Sequence, residues 1–436
     1  MPDHARSDDP AVQKQLDRLA TLSPGRDTLG LERIAALLDR LGNPQRALPP
    51  VFHVAGTNGK GSTCAFLRAA IEAAGLSAHV YTSPHLVRFN ERIRIAGKLV
   101  EDAVLAELLE MVLDQAEGID PSFFEATTAA AFLAFSRTPA DASIIEVGLG
   151  GRLDATNVIE RPLVCGIAHL GIDHEAFLGS DIVGIAAEKA GIAKRGRPLV
   201  TQSYPNPVGQ SIARIAEQNG AEWLPRGRDW RGAPYRGQLH YRDHETVLRL
   251  PLPALPGPHQ ADNALLAIAM LRHQRALDVP EAALRAAMGW ADWPARLQKL
   301  EPGPLTDILP PETEIWLDGG HNVLAAGALA AHFADQEGIR LIMGMLSNKD
   351  PEGFLSALPQ VRSATFIPID NHAHHPPDKL AEIARKLGVA AHTAPTISAA
   401  LDELVSENVQ PERPLVITGS LYLAGDVLRL NNSLPE

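Results

Sequence analysis

Val54-Ala55-Gly56-Thr57-Asn58-Gly59-Lys60-Gly61-Ser62-Thr63, or VAGTNGKGST, is the stretch whose reading decides the fold. It follows a short β-rich run, Val51 to Val54, behind Pro49-Pro50, and leads into a helical stretch, Ser62 to Ala74, that Gly75 stops. A phosphate cradle needs backbone N–H groups converging at a helix N-terminus, glycines that let the chain approach the anion, a lysine for charge and a hydroxyl for magnesium. Gly56, Gly59 and Gly61 supply the glycines, Lys60 the charge, and Ser62 or Thr63 the hydroxyl. The ordinary spacing G-x-x-x-x-G-K-S/T is not kept, because Val54 stands where the first glycine belongs and Gly61 separates Lys60 from Ser62. Every chemical part is present, so the departure changes the loop's family and leaves its use intact. The plainer alternative, a glycine-rich turn from strand to helix, would need neither the lysine nor the hydroxyl.

Outward from this loop, short β-rich runs alternate with helical stretches: Ala78 to Tyr81, Ser143 to Val147 and Leu163 to Ile167 continue the series. Such alternation reads as βα units and a mostly parallel sheet. The helical pattern ends against a proline at Ala291-Asp292-Trp293-Pro294-Ala295, and Gly303, Pro304, Pro310 and Pro311 follow. A domain boundary is expected there, giving an N-terminal domain of the phosphate-loop type over 1–294 and a smaller Rossmann-like α/β domain over 295–436. In the second, Ile315 to Leu317, Arg340 to Met343, Ser363 to Ile367 and Leu415 to Ile417 are the strand candidates. Between Val208 and Pro256 the chain reads as mixed, with strand-like alternation at Val247-Leu248-Arg249-Leu250.

Composition bounds the partners. Forty basic and 52 acidic residues leave a net charge of −12, which argues against a nucleic-acid surface and admits small anions only where local cations or a metal receive them. No apolar run is long enough to cross a bilayer, and no basic-then-apolar leader stands at Met1-Pro2-Asp3-His4, so a cytoplasmic location is expected. Cys64 and Cys165, the only cysteines, lie in apolar runs and are expected as buried free thiols; a cysteine-built zinc site is excluded.

ATP chemistry needs a divalent cation on the phosphates, usually met by an acid at the C-terminal end of a neighbouring parallel strand. Ser143-Ile144-Ile145-Glu146, an apolar run ending in a carboxylate, fits that description, although alone Glu146 would read as a solvated strand end. Gly148-Leu149-Gly150-Gly151-Arg152-Leu153 is no dinucleotide fingerprint, since Leu153 stands at the third glycine. Asn371-His372-Ala373-His374-His375 precedes Pro376-Pro377 without acidic or cysteine companions and is expected to be a solvated turn.

The loop A-G-T-N-G-K-G-S resembles that of the folylpolyglutamate synthase and dihydrofolate synthase family, relatives of the Mur ligases of cell-wall synthesis, which carry a hydroxyl residue directly after the lysine. Further stretches match the folate family in order: Leu29 to Ile34, Thr82-Ser83-Pro84-His85-Leu86, Arg88 to Ile93, the highly specific run Glu146 to Asn157, Asp173-His174 and Glu188-Lys189-Ala190-Gly191. The resemblance implies ATP-dependent addition of L-glutamate to dihydropteroate or reduced folates by a cytoplasmic monomer, with no nucleic-acid or membrane partner. It implies an ATP site of Thr57, Asn58, Gly59, Lys60, Gly61, Ser62, Asn263, Arg296, Asp318 and His321, drawing on both sides of the domain boundary. Magnesium falls to Ser62, Ser83, Glu146 and His174, and catalysis to Lys60, His174, Arg296 and a carbamylated Lys189. Ser122, Phe123, Phe124 and Glu125, with Leu153, Asp154 and Ala155, would meet the pteridine, although Pro121-Ser122 departs from the family pattern, as does Gly320, where alanine is more frequent. Two rivals stand beside this reading. One is a Mur-type ligase acting on a UDP-linked peptide, against which Gly61 and the early loop count. The other is a nucleotide-binding regulator without chemistry, against which Lys60, Glu146, His174 and Arg296 count.

Overall fold

A computed structural model describes residues 5–22, 29–406 and 413–435. The Met1-Pro2-Asp3-His4 stretch lies outside the described residues. The chain divides into two compact units, Met1–Ala254 with Gln260–Asp292, and Leu255–His259 with Trp293–Glu436.

The first unit is built on an eight-stranded sheet. Its strands are β1 Val51–Ala55, β2 Ala78–Tyr81, β3 Ile93–Ile95, β4 Lys98–Leu99, β5 Ala142–Glu146, β6 Val164–Ile167, β7 Pro198–Thr201 and β8 Glu222–Pro225, in the order β4-β3-β2-β5-β1-β6-β7-β8. From β2 to β8 neighbouring strands run parallel; β3 and β4 are added antiparallel at one edge. β1 and β5 are buried at every position, as central strands covered on both faces must be. One face carries the helix Phe123–Arg137, whose Phe132 and Phe135 join the helices Pro10–Ala20, Glu32–Arg40 and Asp102–Asp114 in one core. Each such ring withdraws enough apolar surface to contribute about 1.5–3 kcal/mol. A second cluster seats the helices Ile182–Ala190 and Asn206–Asn219 against β6 and β7. The stretch read as mixed holds that last helix, β8, and an antiparallel meander of β9 Arg231–Tyr235, β10 Gln238–Arg242 and β11 Val247–Pro251.

The second unit contains β12 Gln298–Lys299, β13 Ile315–Leu317, β14 Ile339–Met343, β15 Val361–Phe366, β16 Ala390–Thr393 and β17 Leu415–Thr418, ordered β12-β13-β17-β14-β15-β16. All pairs are parallel except β12 with β13. Because β17 inserts between β13 and β14, the direction of winding reverses there, and loops after parallel strands at such a point are where α/β sheets receive ligands. Cys64 and Cys165 are buried and free, and among the described residues no helix is long and apolar enough to cross a membrane.

Candidate active site

Parallel pairing brings the chemistry of the first unit to the C-terminal ends of neighbouring inner strands. Val54 pairs with Glu146 and Tyr81 with Ile145, so the loop after β1, the carboxylate ending β5 and the Thr82-Ser83 segment after β2 emerge side by side. Lys60 Nζ lies 3.9 Å from Glu146 Oε1 and donates to the Thr57 carbonyl at 3.2 Å. The Ser83 N–H donates to Glu146 Oε2 at 3.3 Å. Glu146 is only 5% exposed, so its charge is held by these donors rather than by bulk water.

The helix of this loop starts at Lys60, ahead of the expected Ser62, and runs to Ala73, with Gly75 left-handed beyond it. Gly59 adopts φ 83° immediately before it, and a Cβ there would strike the Asn263 carboxamide. Gly56 is needed for close approach, because its Cβ would come 2.9 Å from that of Ala168. Thr57 and Asn58 belong to the loop in a different way from the residues that follow. Both their amides donate to the His169 carbonyl, at 2.8 and 3.2 Å, and the Thr57 hydroxyl donates to the Gly171 carbonyl at 2.9 Å. They fasten the loop to the end of β6, and the amides at the helix start are left to face an anion. Gly59→Ala is therefore expected to lower stability by about 1–3 kcal/mol through backbone strain and the clash with Asn263. Gly75→Ala is the comparison, with similar φ and open space around it; it should cost only the backbone penalty, about 1 kcal/mol. Urea midpoints of the two variants measure the difference.

Sequence reasoning missed the support beneath this loop. His169 Nε2 sits 3.5 Å from Asp262 Oδ2, and Arg226 donates to Asp262 Oδ1 at 2.6 Å and to Gln202 Oε1 at 3.0 Å. Gln260 donates to Ser62 Oγ at 3.3 Å and accepts from Asn263 at 2.9 Å. The available signal was the spacing of Gln260 and Asn263, three apart on one helix face.

Lys189 ends the helix Ile182–Ala190, buried. Burial first, and the charge of Lys60 second, bring its ammonium down to about 7, against the pull of Asp173 and Asp154. The Gly150-Gly151 pair has a local reason here: a Cβ on Gly151 would come 2.7 Å from the Glu188 carbonyl and 2.9 Å from Lys189 Cα. Arg152 completes the seam, its N–H on the Glu188 carbonyl at 2.8 Å and its guanidinium on the Glu188 carboxylate at 2.8 Å.

The pteridine candidates have structural duties. Ser122 and Glu125 form a reciprocal cap, Ser122 Oγ accepting from the Glu125 N–H at 3.2 Å and Glu125 Oε2 from the Ser122 N–H at 2.6 Å, while Arg33 binds the same carboxylate at 3.0 Å. Phe123 is a core ring, edge-on to Phe89, and Phe124 lies beneath Gly148, where a Cβ would strike its ring. Asp154 is buried and accepts from Leu149 N–H at 2.8 Å and from the Thr156 N–H and hydroxyl at 3.0 and 2.5 Å; burial nonetheless pushes its carboxyl up. Leu153 is half-buried and Ala155 buried. His174 is exposed and left-handed at the start of the short helix Glu175–Leu178, its N–H on Asp173 Oδ1 at 2.8 Å. Among the described residues no group of three or more His, Cys, Asp or Glu side chains is placed to hold a metal.

In the second unit, Asp318 directly follows β13 and accepts from Leu297 N–H at 2.9 Å and Gly320 N–H at 2.7 Å. Burial pushes its carboxyl up, while the charges of Arg296 and His321 oppose the rise. Arg296 stands between Ala295 and Leu297, both left-handed at φ 54° and 48°. Two strained non-glycine residues around one arginine mark a position the fold holds at a cost. The glycine at 320 is explained: a Cβ would lie 2.6 Å from Asp318 Oδ1 and 2.7 Å from that of Ala325. In the histidine-rich segment, His375 donates to the Lys349 carbonyl at 2.9 Å, His374 to the His372 carbonyl at 2.8 Å, and His372 stacks on Tyr422 with centroids 3.7 Å apart.

A lysine-bearing anion loop beside an acid-ended parallel strand, with a second α/β unit attached in the same chain, defines the class: a phosphate-loop enzyme of the ligase kind. Comparison with known proteins carries this further. Residues 304–430 match the family profile described as dihydrofolate synthetase, C-terminal domain. The folylpolyglutamate synthase of Lacticaseibacillus casei is 32% identical over 416 residues, 91% of this chain and 92% of that one. The structure of E. coli FolC in complex with DHPP and ADP superposes with a TM-score of 0.87 at 31% identity, covering 98% of both chains. A bifunctional folylpolyglutamate synthase/dihydrofolate synthase with Mn, AMPPNP and L-glutamate bound gives 0.84 at 32%, covering 96% of this chain and 97% of that one. The chain belongs to the folylpolyglutamate synthase/dihydrofolate synthase family.

Proposed function

We propose that this chain is an ATP-dependent amide ligase that joins L-glutamate to dihydropteroate and to reduced folates, acting as a cytoplasmic monomer. Such a ligase moves the γ-phosphoryl group of ATP to a carboxylate oxygen of the pteroate or folate, giving an acyl phosphate and ADP. The glutamate nitrogen then forms a bond to the acyl carbon, phosphate leaves with the C–O electron pair, and the amine gives up a proton.

Two anions meet in the first step, so the residues must cancel charge. Gly59, Lys60, Gly61 and Ser62 receive the phosphates through the helix-start amides and the lysine ammonium, with Thr57 and Asn58 fixing the loop. The oxygens proposed to hold Mg²⁺, those of the buried Ser62 hydroxyl, the Ser83 hydroxyl and the Glu146 carboxylate, are hard donors of the kind that ion prefers. Bound there, Mg²⁺ neutralises charge on the transferring group. The family resemblance adds His174 to this set, and Asn263, Arg296, Asp318 and His321 to the nucleotide's contacts. A planar guanidinium suits two phosphate oxygens at once. Phe124, Leu153 and Ala155 offer apolar surface to a flat ring, and Ser122, Phe123, Glu125 and Asp154 hold that surface in place. Lys189, with an ammonium brought down to about 7, has enough neutral amine to take up carbon dioxide as a carbamate, losing one proton and becoming an anion.

The observation that carries this reading is the placement of Lys60 Nζ 3.9 Å from Glu146 Oε1, at adjoining strand ends. Incubation with ATP, Mg²⁺, L-glutamate and dihydropteroate is expected to give dihydrofolate and one phosphate per amide bond. Phosphate released only with a UDP-linked peptide, or no turnover with any acceptor, would overturn it.

A further inference from the structure

Gln260 has no part in the roles above. It is fully buried in the first turn of the helix His259–Arg272, one turn before Asn263, and it joins two groups of the proposed phosphate site. Its Nε2 donates to Ser62 Oγ at 3.3 Å and its Oε1 accepts from Asn263 Nδ2 at 2.9 Å. This leaves Asn263 Oδ1, on a side chain 1% exposed, with no partner and turned toward Gly59. A buried amide oxygen without a donor is unfavourable. Turning both amides over, with heavy atoms in place, removes the defect: Gln260 Nε2 donates to Asn263 Oδ1, the Ser62 O–H donates to Gln260 Oε1, and Asn263 Nδ2 faces the loop. That second arrangement is the one a cation-ligating hydroxyl needs. Ser62 Oγ presents a lone pair to a cation cleanly only when an acceptor on its other side takes its proton.

We propose that Gln260 is a positioning residue for the nucleotide-bound cation: it accepts the hydrogen bond of the Ser62 O–H and turns the Asn263 amide toward the nucleotide. The proposal rests on the reading of Ser62 as a ligand to Mg²⁺ given under the proposed function. Calorimetric titration with ATP, in Mg²⁺ and in EDTA, tests it. Gln260→Leu is expected to weaken binding about tenfold or more in Mg²⁺ and less than about threefold in EDTA, a difference that lost packing alone would not produce. Ser62→Ala should show the same pattern, and the double variant no further loss, because both remove one coupled unit. Gln260→Glu keeps an acceptor toward Ser62 and should recover most of the Mg²⁺-dependent affinity. Gln260→Met stands in if the leucine variant fails to fold, judged by urea midpoint. Equal losses with and without Mg²⁺, or losses that multiply in the double variant, would overturn the inference. Wild-type protein that binds ATP no better with Mg²⁺ would overturn the functional reading and this inference together; Mg²⁺-dependent wild-type binding with indifferent Gln260 variants would overturn this inference alone.

Discussion

Lys60→Met is expected to lower kcat for ligation by on the order of 10³-fold, since it removes the charge proposed to serve the transferring phosphoryl group in a partly desolvated site. The same change takes from Glu146 a cation 3.9 Å away. Because Glu146 is only 5% exposed, losing this nearby cation is not made good by bulk water, and stability should fall as well. The two effects separate by solvent: the turnover loss persists at any salt concentration, while the stability loss shows in urea midpoints measured without nucleotide. Lys60→Arg keeps the charge but replaces a point donor by a wider fork of different geometry, so it should recover stability more than turnover. Turnover of Lys60→Met within tenfold of wild type would contradict the assigned role.

Lys189→Met is expected to move activity and stability in opposite directions. Burial brings the native ammonium from 10.5 to about 7, so between those values the unfolded chain holds a proton that the folded chain has lost. The unfolded state binding more protons means that stability rises with pH across this window as far as Lys189 is concerned. In buffer free of carbon dioxide near pH 7, methionine removes a buried amine that resists its charge, and the thermal midpoint should rise. Activity should fall by on the order of 10²-fold or more, because the carbamate proposed for the neutral amine cannot form. In the wild-type protein, activity should rise with pH through about 7 and with added bicarbonate, and native mass should show the gain of one carbon dioxide. Activity indifferent to bicarbonate, with native mass unchanged, would contradict the carbamate.

The loop after β1 was legible because its chemistry is local: glycines, lysine and hydroxyl lie within a few residues of each other. Glu146 was legible as a strand end because the apolar run Ser143-Ile144-Ile145 closes on it, but its burial against Lys60 comes from the pairing of β5 with β1. β7 and β8 were not, since Pro198-Leu199-Val200-Thr201 and Glu222-Trp223-Leu224-Pro225 are four-residue strands whose identity comes from pairing with β6 and with each other. The use of the Thr57 and Asn58 amides depends on the carbonyl of His169, more than a hundred residues away, and no local pattern encodes a carbonyl's direction. Gly151 and Gly320 are explained only by what a Cβ would meet across space. The residues assigned to the pteridine divide in the same manner: sequence identifies an aromatic pair before a helix, but which ring enters the core and which stays beneath Gly148 is decided by packing.

The most direct measurement is a crystal structure of this protein soaked with a non-hydrolysable ATP analogue and Mn²⁺, read by anomalous scattering. The β- and γ-phosphates are expected over the amides that begin the helix Lys60–Ala73, with the anomalous peak at ligating distance from the oxygens of Ser62 and Glu146. Phosphates bound elsewhere, or a metal peak that leaves Glu146 unliganded, would contradict it.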